Sequence, residues 1–258
     1  MNLNLEKKVA IVTGSSRGIG RAIAESLASE GCHVVICARS GEELEKAAIE
    51  IRKHGGEVLP LILDLSDKDD VDKLIKETIK RFNRIDIIVN NVGSNRRADF
   101  AETTDDDWSA LLNLNLLTHV RASRAAIPYM KSQKGGAIIF IASIFGREAG
   151  GQTLSIYNTT KSGIISLAKT MALELAPHNI RVNSVAPGSI RFPGGSWDRR
   201  CRENPEAMAE FVKREIPMGR FGSADEVANV VTFLASEKAS WVTGACINVD
   251  GCQSHSLI

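Results

Sequence analysis

The sequence lacks the features that would place it in several broad classes. Its 258 residues contain no uninterrupted apolar segment of the roughly 18 residues expected of a membrane helix. Near the start, Glu6, Lys7 and Lys8 precede only a short apolar run ending at Gly14. A signal peptide needs a longer apolar stretch and a small-residue cleavage site. Charge of one sign is also missing: 32 Lys plus Arg meet 31 Asp plus Glu, a formal net charge of +1. That balance gives no general reason to bind nucleic acid or an anionic membrane. Cys32, Cys37, Cys201, Cys246 and Cys252 are odd in number and lack metal-type pairing. Reduced structural thiols, no metal and a cytoplasmic location are the expectations. Without an internal repeat, low-complexity tract or composition break, residues 1–258 read as one domain.

What is present is a globular balance, 43% hydrophobic and 24% charged. Apolar runs alternate with helix-length amphipathic stretches, which predicts an α/β fold. The predicted strands are Val9–Val12, His33–Cys37, Val58–Leu63, Ile85–Asn90, Ala137–Ala142, Ile180–Ala186 and Ala245–Val249. Most are continuous β-branched runs, as in a parallel sheet buried on both faces. Predicted helices fill the gaps at Ile19–Ser29, Glu42–Lys53, Lys68–Phe82, Asp106–Gln133, Ser155–Leu175 and Ala224–Ala235. The expected architecture is a Rossmann-type, doubly wound, seven-stranded parallel sheet with helices on both faces. Residues 189–217 break the alternation after the sixth strand. Their start, Pro193-Gly194-Gly195, reads as flexible or turn-forming, and Pro205–Lys213 as a short helix. A long excursion beyond a strand's carboxyl end is placed to act as a substrate lid.

Between the first strand and first helix lies Thr13-Gly14-Ser15-Ser16-Arg17-Gly18-Ile19-Gly20. Small residues there let the backbone approach a pyrophosphate, whose charge is favoured at a helix N-terminus. Tyr157 and Lys161, four residues apart in a predicted helix, share one face. A free phenol, with a pKa near ~10, is a poor base at neutral pH. A neighbouring ammonium favours the phenolate and draws it into working range. Ser143 follows the fifth predicted strand, where its hydroxyl can orient a substrate oxygen toward Tyr157. Asn115 stands inside the long predicted helix beginning near Asp106, a position that asparagine does not favour.

The TGxxxGxG turn resembles the fingerprint of the short-chain dehydrogenase/reductase family. The resemblance extends through Asp64-Leu65, Asn90-Asn91-Val92-Gly93, Asn115, Ser143, Tyr157-x-x-x-Lys161, Asn183 and Pro187-Gly188. It continues in Gly219-Arg220-Phe221-Gly222 and Asn248-Val249-Asp250-Gly251, so it covers nearly the whole chain. It implies an NAD(P)-dependent oxidoreductase of carbonyl and alcohol groups, with Asn115, Ser143, Tyr157 and Lys161 catalytic. It implies that Asn115 holds a water in a proton relay and that Lys161 bonds the nicotinamide ribose. Cofactor contacts are implied for Gly14, Ser16, Arg17, Gly18, Ile19, Gly20, Ser40, Asn91, Gly93, Tyr157, Lys161, Pro187, Gly188 and Ile190. Asp64 and Leu65 are assigned to the adenine edge, and Asn90 with Gly93 to the adenosine side. Phe192 stands where the family often has threonine, and Val92 where it usually has alanine. The family also implies subunit contacts through the helices Asp106–Gln133 and Ser155–Leu175, commonly in a homotetramer.

After the second strand, where NAD enzymes usually offer a carboxylate to the ribose, the chain has Cys37-Ala38-Arg39-Ser40. Arg39, with Arg17 in the glycine turn, can instead pair with a 2′-phosphate. NADP(H) is therefore preferred, with NAD(H) possible. The resemblance is strongest to 3-oxoacyl-[acyl-carrier-protein] reductase-type members, through Gly146–Gly151 and the Asn183–Gly188 segment. Three functions stay open: reduction of a carbonyl such as a 3-oxoacyl thioester, oxidation of a sugar or hydroxy acid, and a dinucleotide-binding redox sensor. Arg96, Arg97, Arg191, Arg199, Arg200 and Arg202 either attract an anionic substrate or acidic carrier protein, or form a solvated basic surface.

Overall fold

A computed structural model describes residues 2–257. The seven strands are β1 (Val9–Thr13), β2 (His33–Ala38), β3 (Val58–Ile62), β4 (Ile87–Asn90), β5 (Gly136–Ile141), β6 (Ile180–Pro187) and β7 (Cys246–Val249). They form one parallel sheet in the order β3-β2-β1-β4-β5-β6-β7. The order reverses between β1 and β4, so the connections leave a crevice at the carboxyl ends of those two strands. Strand alternation feeds two separate cores. Ala10 and Val12 of β1 enter one apolar cluster, while Val9 and Ile11 enter the other.

Helices α1 (Gly18–Ser29), α2 (Gly41–Arg52) and α9 (Ala224–Ala235) supply the first cluster with residues such as Ile23, Leu44 and Val231. Helices α3 (Lys68–Phe82), α5 (Thr118–Ser132) and α6 (Ser155–Leu175) supply the second with Leu74, Ala122 and Ile164. The doubly wound reading of the sequence thus holds, and strand ends differ from expectation by one or two residues. Ile85, expected in β4, lies before it and exchanges hydrogen bonds with the Gln133 side chain.

Two expectations need correction. The single helix expected over Asp106–Gln133 is α4 (Asp105–Leu112), a π-helical turn at Asn113–Leu117, and then α5. The wider turn is fastened to the loop after β3: Asn113 Nδ2 donates to the Ser66 carbonyl at 2.7 Å, and Thr118 Oγ1 to the Leu65 carbonyl at 2.7 Å. A π-turn inside a helix is a frequent mark of a functional site. The excursion after β6 is also more ordered than expected, with α7 (Ser196–Glu203) directly after the Gly194-Gly195 turn and α8 (Pro205–Glu215) beyond it. Trp197 of α7 packs on Phe211 of α8 and on Phe221, with ring centroids 4.8 and 5.3 Å apart. That aromatic stack supplies the apolar contact that two short helices need to persist.

Candidate active site

The crevice between the ends of β1 and β4 opens into a cleft of about 570 Å³. Gly14, Ser16, Arg17, Ile19 and Gly20 line it from the glycine turn, Arg39 and Ser40 from the end of β2. Asp64, Leu65, Asn91 and Gly93 line the remaining sides. The turn itself has little room for side chains. A Cβ on Gly20 would lie 2.4 Å from the Gly14 carbonyl oxygen, and Gly14 holds φ at +66°. Helix α1 begins without a side-chain cap and without an acid in its first turn. Its partial positive end thus lacks an internal anion, and the residues present fit a dinucleotide pyrophosphate.

Not every residue implied by family resemblance meets in that cleft. Asn90 is fully buried and donates from Nδ2 to Ser123 Oγ at 2.9 Å, pointing into the core rather than toward the adenosine side. The Asn91 amide is engaged with the turn, donating to the carbonyls of Thr13 at 2.8 Å and Gly14 at 3.1 Å. Gly18 lies beneath the Phe192 ring, 2.6 Å from where its Cβ would stand, so Phe192 covers the turn. Pro187 ends β6, and Gly188 and Ile190 follow it outside this lining. Ile190 instead lines a neighbouring cleft of about 320 Å³ with Asn248–Cys252.

Arg17 and Arg39 have no carboxylate within ion-pair distance among the described residues. Arg39 still acts at longer range on Asp64, whose carboxyl is held below its usual range mainly by hydrogen bonds from Ser66. The sequence reading overlooked Glu43, which lines the same cleft from the first turn of α2. Its neighbour Ser40 caps that helix, accepting from the Glu43 amide at 3.5 Å.

A second constellation stands beside Gly93. A Cβ on that glycine would lie 3.3 Å from Asn115 Oδ1 and 3.7 Å from Lys161 Nζ. Lys161 is buried and donates to the Ile141 carbonyl at 2.8 Å; its ammonium lies 5.7 Å from the centroid of the Tyr157 ring. Ser143, just beyond β5, accepts from the Phe145 amide at 3.2 Å, and its side chain acts to lower the Tyr157 phenol. Asn115 occupies the π-turn with its side chain fully committed. Oδ1 accepts from the Ser94 amide, and Nδ2 donates to the Ser94 carbonyl and to Thr160 Oγ1.

Burial shapes the charges here. It raises the Tyr157 phenol above its ordinary value, and the hydrogen bond with Ser143 opposes that rise. The opposing influence was expected from Lys161, but the ammonium is itself destabilised by burial and pulled down to about 8. Sequence reasoning also missed His119, one turn beyond Asn115 and fully buried. Its Nε2 must donate to the Val92 carbonyl, 2.8 Å away, because a carbonyl only accepts. Burial and the Lys161 charge push it down to about 3, so it is a neutral anchor for the loop after β4. A lone histidine among apolar residues gave no chemical signal in the sequence.

A buried lysine ammonium beneath a half-buried phenol, with the Ser143 hydroxyl near the phenol, can move a proton to or from an oxygen seated between Ser143 and Tyr157. A family profile described as enoyl-(acyl carrier protein) reductase matches residues 14–253. The chain is 38% identical to a 3-oxoacyl-[acyl-carrier-protein] reductase of Thermotoga maritima over 96% of this chain and 98% of that one. It is 40% identical to the same enzyme of Aquifex aeolicus, over 97% and 99%. Its fold superposes on L-sorbose reductase of Gluconobacter frateurii, solved with NADPH and L-sorbose, with a TM-score of 0.95, 35% identity and full coverage of both chains. With these relatives spanning the whole fold, the chain belongs to the short-chain dehydrogenase/reductase family and is an oxidoreductase of carbonyl and alcohol groups.

Proposed function

We propose that the protein is an NADP(H)-dependent carbonyl reductase in which Tyr157 delivers the proton. The observation that carries this reading is the buried Lys161 ammonium, held on the Ile141 carbonyl at 2.8 Å and set 5.7 Å from the centroid of the Tyr157 ring. A bound nicotinamide supplies the hydride. Ser143 holds the carbonyl oxygen, and Tyr157, kept protonated by burial, donates to it. As the phenol loses its proton, Lys161 stabilises the oxyanion left behind. Asn115 fixes the loop of Gly93 and Ser94 against this pair. Residues 189–217 act as the substrate lid of a chain that works as one domain. The presence of all four catalytic positions speaks against a redox sensor without turnover.

The cofactor preference rests on Arg17 and Arg39, two cations in the cleft lining without a carboxylate partner among the described residues. The NADPH bound by the L-sorbose reductase supports the same choice. For substrate, the full-length likeness to acyl-carrier-protein reductases favours a 3-oxoacyl thioester. The sorbose reductase match favours a second reading, a ketose or other polyol. The free thiols fit a cytoplasmic setting. A homotetramer is part of the same proposal. Leu117, in the π-turn, is 43% exposed and Leu173 on α6 is 72% exposed, surface that a partner subunit can cover.

Tyr157→Phe is expected to lower turnover of any reduced carbonyl by at least ~100-fold while sparing NADPH affinity. Retained activity would remove Tyr157 from the chemistry. Arg39→Ala is expected to raise the KM for NADPH about tenfold and leave that for NADH unchanged, the loss of one charge-assisted pair. An equal change for both cofactors would end the 2′-phosphate assignment. Because the folded Lys161 value lies below its unfolded value of 10.5, the unfolded chain binds more protons between about pH 8 and 10.5. Stability from this group therefore rises with pH across that window. The melting temperature of the wild type should gain on that of Lys161→Met from pH 7.5 to 10; a constant difference contradicts the shift. Light scattering at micromolar concentration should give a mass above the 27.9 kDa of one chain, and a monomeric mass refutes the assembly.

A further inference from the structure

The carboxyl-terminal segment, beyond β7, crosses back over the end of the sheet at which the site is built. One carboxylate winds its start: Asp250 Oδ1 accepts from the Cys252 amide at 3.0 Å, and Oδ2 from the Ser254 amide at 2.9 Å. Residues emerging from this turn reach two different loops. Gln253, only 8% exposed, accepts at Oε1 from the buried Ser189 amide at 2.8 Å, two residues beyond β6. The fit is close, since a Cβ on Gly188 would lie 2.7 Å from both Gln253 Oε1 and Asp250 Cβ. On the other side, Glu148 Oε2 accepts from Ser254 Oγ at 3.0 Å and from the His255 amide at 2.9 Å.

Both loops lead into the site. Glu148 follows Ser143 in the loop after β5, and its carbonyl accepts from Asn158 Nδ2, beside Tyr157, at 3.3 Å. Arg147 braces the same loop on β7, donating to the Cys246 carbonyl at 3.0 Å and to Asn248 Oδ1 at 3.1 Å. The loop after β6 runs from Ser189 to Phe192, which lines the dinucleotide cleft and covers Gly18 of the glycine turn. Strands β5 and β6 are neighbours in the sheet, so the segment spans two adjacent loops. Chain ends stay ordered only where they are tied down. The ties here are two charge-assisted bonds to one loop and a bond to a buried amide of the next, which would lose its acceptor without Gln253.

We propose that residues 250–256 form a clasp, with Glu148 and Gln253 as positioning residues that hold the Ser143 loop and the Phe192 loop in one relative position. The clasp rests on the carbonyl-reductase reading above, in which the first loop holds the carbonyl oxygen and the second covers the cofactor. NADPH oxidation with acetoacetyl-N-acetylcysteamine, and separately with L-sorbose, measures the consequence. Glu148→Leu and Gln253→Leu should each lower kcat about tenfold, because a small misplacement of the reacting groups costs rate. Once one end of a clasp is open, opening the other adds little, so the double variant should stay within about twofold of the slower single. Losses that multiply to about 100-fold overturn the clasp, since independent sites behave that way. A lower melting temperature with kcat unchanged in both single variants overturns it as well. Glu148→Gln keeps a side-chain oxygen for Ser254 and His255 and should recover most of the rate; a variant as slow as Glu148→Leu contradicts the assignment.

Hydrogen exchange separates the clasp from the chemistry. In Glu148→Leu, which leaves the buried Gln253 in place, the peptide containing Ser189 should exchange about tenfold faster while β1 and β2 keep the wild-type rate. Faster exchange confined to residues 253–257 overturns the clasp. Faster exchange at Ser189 in a protein that reduces neither ketone keeps the clasp and counts against the reductase reading instead.

Discussion

The Thr13 hydroxyl and the Asn91 amide join the carboxyl ends of β1 and β4. Thr13 Oγ1 donates to the Val89 carbonyl and accepts from the amides of Asn91 and Val92 at 2.9 and 3.0 Å. Asn91 returns two bonds to the Thr13 and Gly14 carbonyls. Both strands end here because the sheet order reverses, and the polar groups freed by that reversal are satisfied by one another. The glycine turn, the Gly93 loop and the crevice between them take their positions from this knot. His119 holds the next carbonyl along, that of Val92, and Asn115 holds Ser94. Polar side chains thus fix successive steps of the loop after β4 from Asn91 to Ser94. That continuity delivers Gly93 within reach of Lys161.

The fold was legible because its signal is collective. Seven β-branched runs separated by amphipathic stretches admit few topologies, and no single residue decides the outcome. The candidate site was legible for a different reason: the glycine turn, Asn115, Ser143 and the Tyr157/Lys161 spacing follow one family's order, and folding brings Asn115 and Lys161 together beside Gly93. The π-turn left no pattern, since one additional residue in a turn scarcely disturbs amphipathic spacing. Asn115 was its only trace. Helix α7 was hidden by composition. Ser196–Glu203 is almost wholly polar, and its apolar anchor, Trp197, finds its partners far along the chain at Phe211 and Phe221.

Charge was the least legible property. Six arginines look alike in a sequence, yet among the described residues folding gives four of them acids and leaves two without. Asp198, which serves both Arg191 and Arg202 and accepts from the Gly194 amide, is held down to about 2 and ties the start of α7 to the turn before it. Asn90 illustrates the same point for neutral groups. It neighbours Asn91 in the chain, but strand alternation turns it to the opposite side, into the core against Ser123. Residue identity and order alone did not separate the two asparagines; the face of the sheet did.

The tyrosine and lysine respond to a single cause in opposite directions. Burial penalises whichever form is charged, so it lifts the phenol and lowers the ammonium, and both groups move toward neutrality. A phenol kept protonated is ready to give a proton to a carbonyl oxygen, which suits reduction. The reverse reaction needs the phenolate, and that state must be stabilised by charge brought close to the ring. Lys161 supplies such charge only while it is itself protonated, and its value of about 8 sits near enough to neutral pH for small changes around it to decide. The hydrogen bond to the Ile141 carbonyl keeps the ammonium at a fixed place, 5.7 Å from the centroid of the Tyr157 ring. The protonation of both groups is therefore tied to how deeply this pair is buried.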